Sequence, residues 1–241
     1  MLRLRAMEDA AGGTERFLRF QVEHRCKDGR LIWGEMLSKP DRNAQGEIIG
    51  YHGITREITE RKCLEEQVRE LAFHDPLTRL ANRRLMLDHL EQAMSASKRS
   101  QRHGALLFLD LDNFKPLNDT HGHGVGDLLL IEVAERLNAC VREADTVARF
   151  GGDEFVVLLS ELSTQPGEAA EQAVAIAEKV RTRLAEPYVL QSAPSAPSIQ
   201  HECTASIGVA VFRGRDESQN AVIDRADAAM YRAKEEGRNR I

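Results

Sequence analysis

The stretch TVARFGGDEFVVLLS, residues 146–160, holds two short apolar segments on either side of a Gly-Gly pair. Apolar segments of this length are typical of buried strands, and paired glycines between them are typical of a hairpin turn. The stretch therefore predicts an antiparallel hairpin with Gly151 and Gly152 at its tip. A second apolar run, GALLFLDLD (104–112), predicts another buried strand, and this one ends on two aspartates.

Helical periodicity surrounds these strands. It predicts helices at 81–97, 126–144, 167–185 and 217–237 and a further strand at 203–212. The Ser/Pro-rich segment 188–200 is predicted to be mainly loop. Long alternation of helices and strands, with one hairpin among them, predicts an α+β domain in which helices flank a mixed or antiparallel central sheet.

The chain before this domain has a different pattern. Strands are predicted at 16–26, 30–40 and 47–58, with turns at Asp-Gly and Gln-Gly, which indicates a small antiparallel meander. Residues 57–74 read as a helix, in which Leu64, Val68 and Leu71 have 4-3 spacing. That stripe suits a short coiled coil in a dimer, or a linker helix packed on its own domain. The expected divisions are 1–56, 57–74 and 75–241.

Composition excludes several classes of protein. Hydrophobic residues make up 42% and charged residues 29%, which is a globular balance, and the net charge of −5 argues against a dedicated nucleic-acid binder. The longest apolar runs are far shorter than the roughly 20 residues of a membrane-spanning helix. The four cysteines (26, 63, 140 and 203) are scattered, which favours reduced thiols over a disulfide or zinc framework and a cytoplasmic location.

Two acidic clusters are the candidate chemical groups. Asp110 and Asp112 end the buried strand, and Asp153 and Glu154 follow the Gly-Gly turn. If neighbouring strands bring Asp110 and Asp153 together, the carboxylates repel unless a cation lies between them. Oxygen-only ligands favour Mg²⁺ or Mn²⁺ over zinc. The alternative is that all four are ordinary acidic turn residues.

Several separated motifs, in this order, resemble those of the GGDEF family of diguanylate cyclases. They are HDPLTRLANRR (74–84), FLDLDNFKPLND (108–119), HGHGVGD (121–127), RFGGDEF (149–155), ASIGVA (205–210) and YRAKEEGRNR (231–240). The resemblance covers about residues 75–241 and implies a nucleotidyl-cyclase palm-like fold. Residues 16–62 resemble the C-terminal part of a PAS domain, so the chain is either a fragment of a larger sensor or carries a reduced module.

The resemblance implies that two GTP molecules condense into cyclic di-GMP with release of two pyrophosphates. Each of two facing domains would hold one GTP, so a homodimer is implied. It also implies two Mg²⁺ or Mn²⁺ ions per active site, held by Asp110, Asp153 and the carbonyl of Leu111, with Glu154 on the second ion. The implied catalytic residues are Asp153 and Glu154, and Glu154 is also the implied base for the 3′-hydroxyl. The backbone of Gly151 and Gly152 would approach the phosphates.

Other positions match substrate-binding residues of the family. Asn118 and Asp127 would bind guanine, since a carboxylate accepts from both N1–H and the N2 amine. Lys115, Lys234 and Arg238 would bind phosphates, and the last two are expected to share one face of the final helix. The alternatives are a helix N-cap for Asp127 and ordinary solvated cations for the other three.

Arg142 and Asp145 match the family's RxxD site for product inhibition, with five residues between Asp145 and Gly151. The alternative is a helix-end salt bridge of little energetic value. Lys179 stands where an arginine often completes this site, and lysine lacks the planar fork, so weaker inhibition is expected. His121 and His123 are expected to have a loop role, because no third nitrogen or sulfur ligand lies nearby in the sequence.

Three hypotheses remain open on the sequence. The first is an active, dimeric cyclase controlled by its N-terminal strands and helix. The second is an inactive receptor that binds cyclic di-GMP through Arg142 and Asp145. The third is a dimerising PAS-linker module with a vestigial enzyme half. The presence of the acidic set together with Lys115, Asn118 and Asp127 favours the enzyme.

Overall fold

The computed structural model describes residues 17–191 and 198–241, which form two compact units divided between Arg69 and Glu70. The first unit contains β1 (Leu18–Arg25), β2 (Leu31–Arg42) and β3 (Ile48–Glu57). They form an antiparallel sheet in the order β1-β2-β3, which confirms the predicted meander. Helix α1 (Thr59–Phe73) follows, and it has no buried residue.

The second unit is an α+β domain with a five-stranded sheet in the order β10-β5-β7-β6-β4. Its β4–β6 pair is parallel and its other pairs are antiparallel, which confirms the predicted mixed sheet. The strands are β4 (Ala81–Asn82), β5 (Gly104–Asp112), β6 (Thr146–Gly151), β7 (Glu154–Leu159), β8 (Tyr188–Leu190), β9 (Ile199–His201) and β10 (Thr204–Phe212). The helices are α2 (Arg83–Ser100), α3 (Phe114–His121), α4 (His123–Cys140), α5 (Pro166–Leu184) and α6 (Gln219–Glu235).

Every residue of β5 is buried, because both faces of the sheet are covered by helices. Alternate side chains of a strand point to opposite faces. Leu107 and Leu109 therefore pack into a core shared with α3, α4 and α5. Leu106 and Phe108 pack into a second core shared with α2 and α6. Asp110 continues the second set, so it belongs to the face that α6 covers.

Helix α6 lies directly on the backbone of β10. A Cβ atom added at Gly208 would lie 1.9 Å from the carbonyl oxygen of Ala226 and 2.2 Å from the backbone nitrogen of Met230. No side chain fits there without moving the helix. This contact fixes how close the C-terminal half of α6 comes to the ends of β10 and β5.

Some boundaries differ from the sequence predictions. The helix predicted at 126–144 begins at His123 and ends at Cys140, and α3 before it was not predicted. Pro116 and the break at Gly122 hid this short helix from a periodicity argument. The prediction of mainly loop for 188–200 was wrong in part, since β8 and β9 form a two-stranded hairpin, while 192–197 lie outside the described residues.

Two expectations drawn from composition have structural outcomes. All four cysteines are free thiols, as expected. No helix in the described part of the chain has the length and apolar character needed to cross a membrane.

Candidate active site

Facing carboxylates lie where β5 and β7 run side by side. Asp110 and Glu154 are directly opposite each other across the two strands. The backbone N–H of Leu111 donates to the carbonyl oxygen of Asp153 at 3.3 Å, so the hairpin turn lies against the end of β5. Strand pairing thus brings the two predicted acidic clusters together, except for Asp112.

The electrostatics of this group show mutual repulsion. Burial raises the pKa of Glu154, and the negative charges of Asp110 and Asp227 raise it further. Burial also raises the pKa of Asp110; a hydrogen bond from Lys234 opposes that shift and the charge of Asp153 adds to it. The sequence analysis missed Asp227. Its signal was the seven-residue spacing from Lys234, which places both on one face of a helix.

A lysine ammonium already compensates part of this charge. Nζ of Lys234, on α6, lies 2.7 Å from Oδ2 of Asp110. Within residues 17–191 and 198–241, no group of three His, Cys, Asp or Glu side chains is arranged to hold a metal ion. The chemistry of the site nevertheless fits a divalent cation. Its donor atoms are oxygens of like-charged carboxylates, which repel each other unless positive charge lies between them, and the Lys234 ammonium shows that Asp110 already attracts such charge.

Glu154→Gln is expected to stabilise the metal-free fold at pH 7.5 and to have little effect at pH 4. The raised pKa means that ionisation of Glu154 costs the folded state stability as the pH rises through that pKa. Near pH 4 the unfolded glutamate also takes up its proton, and the difference disappears. The gain at pH 7.5 should be about 0.5–1 kcal/mol.

Amide hydrogen exchange of β5 and β7 in chelator measures this gain at each pH. Glu91→Gln is the matched control, because Glu91 pairs with Arg215 on the surface. A faster exchange in Glu154→Gln than in the natural protein at pH 7.5 would show that the carboxylate stabilises the metal-free fold instead.

The glycine turn requires residues without side chains. Gly152 has φ +53° and Gly151 has φ +152°, conformations that L side chains rarely adopt, and nothing lies within 4 Å of a Cβ placed at either. The pairing of β6 with β7 shifts between Arg149 and Gly151, which is a bulge at the turn. The turn therefore presents bare backbone to open space.

A partly buried ion pair, which the sequence analysis missed, holds this turn. Arg149 donates to the Gly152 carbonyl at 3.0 and 2.8 Å and to both carboxylate oxygens of Asp75 at 3.1 and 3.2 Å. Burial works to raise the pKa of Asp75, but hydrogen bonds from Thr78 and the charge of Arg149 hold it below the usual value. The sequence offered only the opposite charges of the two side chains as a signal, because 74 residues separate Asp75 from Arg149.

The expected guanine-binding residues lie on α3 and α4. Oδ1 of Asn118 is buried without a hydrogen-bond partner, and a Cβ at Gly126 would lie 2.0 Å from it. Asp127 is exposed one residue later. The N-cap alternative for Asp127 was wrong, because α4 begins four residues earlier with Gly122 as its cap. The unsatisfied amide oxygen is an acceptor without a donor.

The expected phosphate-binding cations are arranged differently from one another. Lys115 is exposed in the first turn of α3. Lys234 is held by Asp110. The expectation that Arg238 shares its helix face was wrong: α6 ends at Glu235, and Arg238 lies beyond it with φ +62°. The helix cannot continue through a left-handed residue.

The RxxD motif spans the connection between α4 and β6. Oδ2 of Asp145 accepts from the backbone N–H of Arg142 at 3.1 Å, and Oδ1 accepts from that of Ser160 at 3.1 Å. Arg142 is exposed, and within the described residues its guanidinium makes no ion pair; only its backbone N–H bonds to Asp145, so the helix-end salt bridge does not form. Lys179 donates to the carbonyl of Cys140 at 2.9 Å and caps the end of α4.

His121 and His123 are at helix ends rather than in a loop. His121 ends α3 and His123 begins α4, and both are exposed.

Comparisons with known proteins agree on one family. Residues 72–240 match the family model described as "Diguanylate cyclase, GGDEF domain". The chain is 48% identical over 172 residues to the bifunctional diguanylate cyclase/cyclic di-GMP phosphodiesterase MucR of Pseudomonas aeruginosa, covering 70% of this chain and 23% of MucR. It is 39% identical over 188 residues to diguanylate cyclase DgcM of Escherichia coli K12, covering 78% of this chain and 42% of DgcM.

A solved structure shows the same likeness. The coiled coil and GGDEF domain of DgcB from Caulobacter crescentus, in complex with c-di-GMP, superposes with a TM-score of 0.65 at 32% identity, covering 76% of this chain and 91% of that one. The chain spans less than half the length of the curated relatives named above. The matched residues contain the hairpin, the carboxylates and helices α3, α4 and α6 described above, and the chain belongs to the GGDEF-domain family of diguanylate cyclases.

Proposed function

We propose that this chain is an active diguanylate cyclase that condenses two GTP into cyclic di-GMP. The observation that carries the proposal is the facing pair of Asp110 and Glu154, whose repulsion is only partly compensated by Lys234. Keeping like charges together lowers the stability of the fold, and carboxylates clustered in this way are typical of functional sites, here one that would bind cations for phosphoryl transfer. Enzymes of this family generally use divalent metal ions, and such ions polarise phosphates and neutralise developing charge when bound.

In this proposal the residues have separate roles. Asp110, Asp153, Glu154 and the carbonyl of Leu111 would hold two Mg²⁺ or Mn²⁺ ions. Glu154 also accepts the proton of the 3′-hydroxyl of one GTP, while the oxygen of that hydroxyl forms a bond to the α-phosphorus of the other GTP. Pyrophosphate leaves with the electrons of the broken α–β bond. Two such displacements close the ring.

Substrate binding follows from the remaining residues. The unsatisfied Oδ1 of Asn118 and the carboxylate of Asp127 would accept from N1–H and the N2 amine of guanine, which adenine lacks. The bare backbone of Gly151 and Gly152 gives the phosphates a close approach. Lys115, Lys234 and Arg238 supply positive charge, and Lys234 would exchange its bond with Asp110 for one with phosphate when nucleotide and metal bind.

The proposal requires two domains. Leu64, Val68 and Leu71 are 54%, 65% and 67% exposed on α1, in 4-3 spacing. An exposed apolar stripe of this kind suits the same stripe of a second copy. We further propose that residues 1–56 are a partial PAS-like segment, 57–74 a signalling helix and 75–241 the cyclase domain.

Specific activity is expected to rise with protein concentration. A monomer that holds one GTP cannot close the ring, so the rate should fall more steeply than linearly on dilution. Incubation with GTP and Mg²⁺ followed by chromatography of the nucleotides measures the rate at each concentration. Binding of GTP with no cyclic di-GMP formed would support the receptor hypothesis, and a strictly linear rate down to nanomolar protein would contradict the two-domain mechanism.

Arg142→Ala is expected to weaken product inhibition, because the exposed guanidinium of Arg142 can form a fork with guanine O6 and N7. Lys179 is engaged with the Cys140 carbonyl, so inhibition should be weak even before the substitution. Initial rates at increasing added cyclic di-GMP measure both effects. Submicromolar inhibition of the natural protein, or unchanged inhibition in Arg142→Ala, would overturn this assignment.

A further inference from the structure

Asp112 is a buried carboxylate whose hydrogen-bond donors lie outside the acidic group beside it. It is 3% exposed and lies two residues after Asp110 on the same strand. Its oxygens accept from the hydroxyls of Thr204 at 2.7 Å and Ser206 at 2.8 Å, both on β10. Among the described residues it forms no ion pair with Lys, Arg or His. A buried carboxylate without a cation is costly unless several donors serve it.

The third donor comes from the end of the chain. The backbone N–H of Asn239 donates to Oδ2 of Asp112 at 3.1 Å. The segment Arg238–Ile241, which we name the C-terminal tail, is exposed along its length. Hydrogen bonding to a charged acceptor is stronger than to a neutral one, so this bond is a firm attachment for an otherwise exposed segment.

The tail takes a backbone path that needs an attachment. Arg238 and Asn239 have φ +62° and +48°, a region that costs non-glycine residues energy. The tail then reaches the free edge of β10, where the carbonyl of Arg240 accepts from the N–H of Ile207 at 2.9 Å. Arg181 of α5 also donates to the Asn239 side chain at 2.7 Å. These bonds set the direction in which Arg238 leaves the end of α6.

We propose that Asp112 is a positioning residue that places Arg238 for the triphosphate through the tail. The proposal rests on the proposed function, in which Arg238 binds phosphate. Arg238 has no side-chain partner among the described residues. Its backbone N–H donates to the carbonyl of Ala233 on α6 at 3.0 Å, and beyond that bond its direction depends on how the next residue, Asn239, is held. The Asp112–Asn239 bond involves the residue that follows Arg238. It therefore links β5, the strand that carries Asp110, to the segment that carries the Arg238 guanidinium.

A double-mutant cycle on nucleotide binding tests this. The affinity of the full chain for a non-hydrolysable GTP analogue with Mg²⁺ is measured for Asp112→Asn, Arg238→Ala and the double variant. Each single variant should weaken binding about 10-fold, and the double variant should be no weaker than Arg238→Ala alone. At saturating GTP the turnover of Asp112→Asn should change less than its KM.

Two further variants keep the test independent of folding. Asn239→Pro removes the N–H donor at an exposed position and cannot adopt the φ of +48° seen there, so it releases the tail from Asp112, and its effect should be at least as large as that of Asp112→Asn. Ser206→Ala removes one hydroxyl donor to Asp112 but leaves the bond to the tail, so it is the comparison variant, and its loss of affinity should be smaller than that of Asp112→Asn. Faster amide exchange at Ile207 in Asp112→Asn and Asn239→Pro would show directly that the tail has been released.

Additive effects in the cycle, or unchanged affinity in Asn239→Pro, would overturn the proposal. So would failure of the natural protein to bind the analogue, or unchanged binding in Arg238→Ala. Binding that follows the expected cycle in a protein that makes no cyclic di-GMP would support the role of Asp112 and contradict the proposed enzyme activity. The two failures are therefore distinguishable.

Discussion

Glu154→Gln is expected to lower the rate of cyclic di-GMP formation by about 10²–10⁴-fold at saturating GTP and Mg²⁺. Glutamine has nearly the same shape, but it cannot accept the proton of the 3′-hydroxyl or supply negative charge to a cation. The measurement is the initial rate by chromatography at several protein concentrations above the dimer constant.

The same substitution separates chemistry from folding. Because it relieves repulsion with Asp110 and Asp227, the variant should unfold no more easily than the natural protein in chelator. Glu91→Gln has the same change of charge on the surface and should keep full activity. A rate in Glu154→Gln within about 3-fold of the natural one would contradict a role in chemistry for this carboxylate.

Arg149→Ala is expected to have the largest effect on the fold around the site. It removes the bonds to the Gly152 carbonyl and leaves Asp75, 18% exposed, without its cation. The cost should be about 2–3 kcal/mol. Misplacement of the turn by about 1 Å should also lower the rate about 100-fold. Thermal unfolding and initial rates measure the two effects.

Arg102→Ala is the matched control. Its guanidinium also donates two bonds to a carbonyl, that of Glu161, at 3.1 and 2.9 Å, but it contacts no carboxylate of the site. It should lower stability far less than Arg149→Ala and leave the rate unchanged. Equal losses in the two variants would show that the Asp75–Arg149 pair has no special role at the turn.

The pair also predicts a pH effect with a defined sign. The pKa of Asp75 is lower in the folded protein than in the unfolded one. Its contribution to stability is therefore present above the unfolded pKa, near 3.9, and disappears as the pH falls through the folded pKa. The difference in stability between the natural protein and Arg149→Ala should shrink below pH 4.

Local sequence patterns predicted most of the strands, and from them the approach of the two acidic clusters in space. Alternation and turn residues identified β5, β6 and β7, and strand pairing then brought Asp110 opposite Glu154. What the sequence could not show were contacts made over long separations by side chains of ordinary type. Asp112 looked like a second member of the acidic cluster, yet its partners lie 92 to 127 residues away.

The end of α6 shows the other limit. The i, i+4 spacing of Lys234 and Arg238 holds only while the helix continues, and it ends at Glu235. Gly237, with φ +117°, turns the chain away. Helix ends depend on a few local backbone angles and on tertiary attachments, so periodicity alone places them poorly.

Helix α1 buries none of its residues, and at 15 residues it is close to the length below which isolated helices unravel in water. If its apolar stripe is covered only when two copies meet, ordering of the helix and association become one event. Helical content would then depend on the amount of protein present, and a signal could regulate output simply by changing how readily this segment coils.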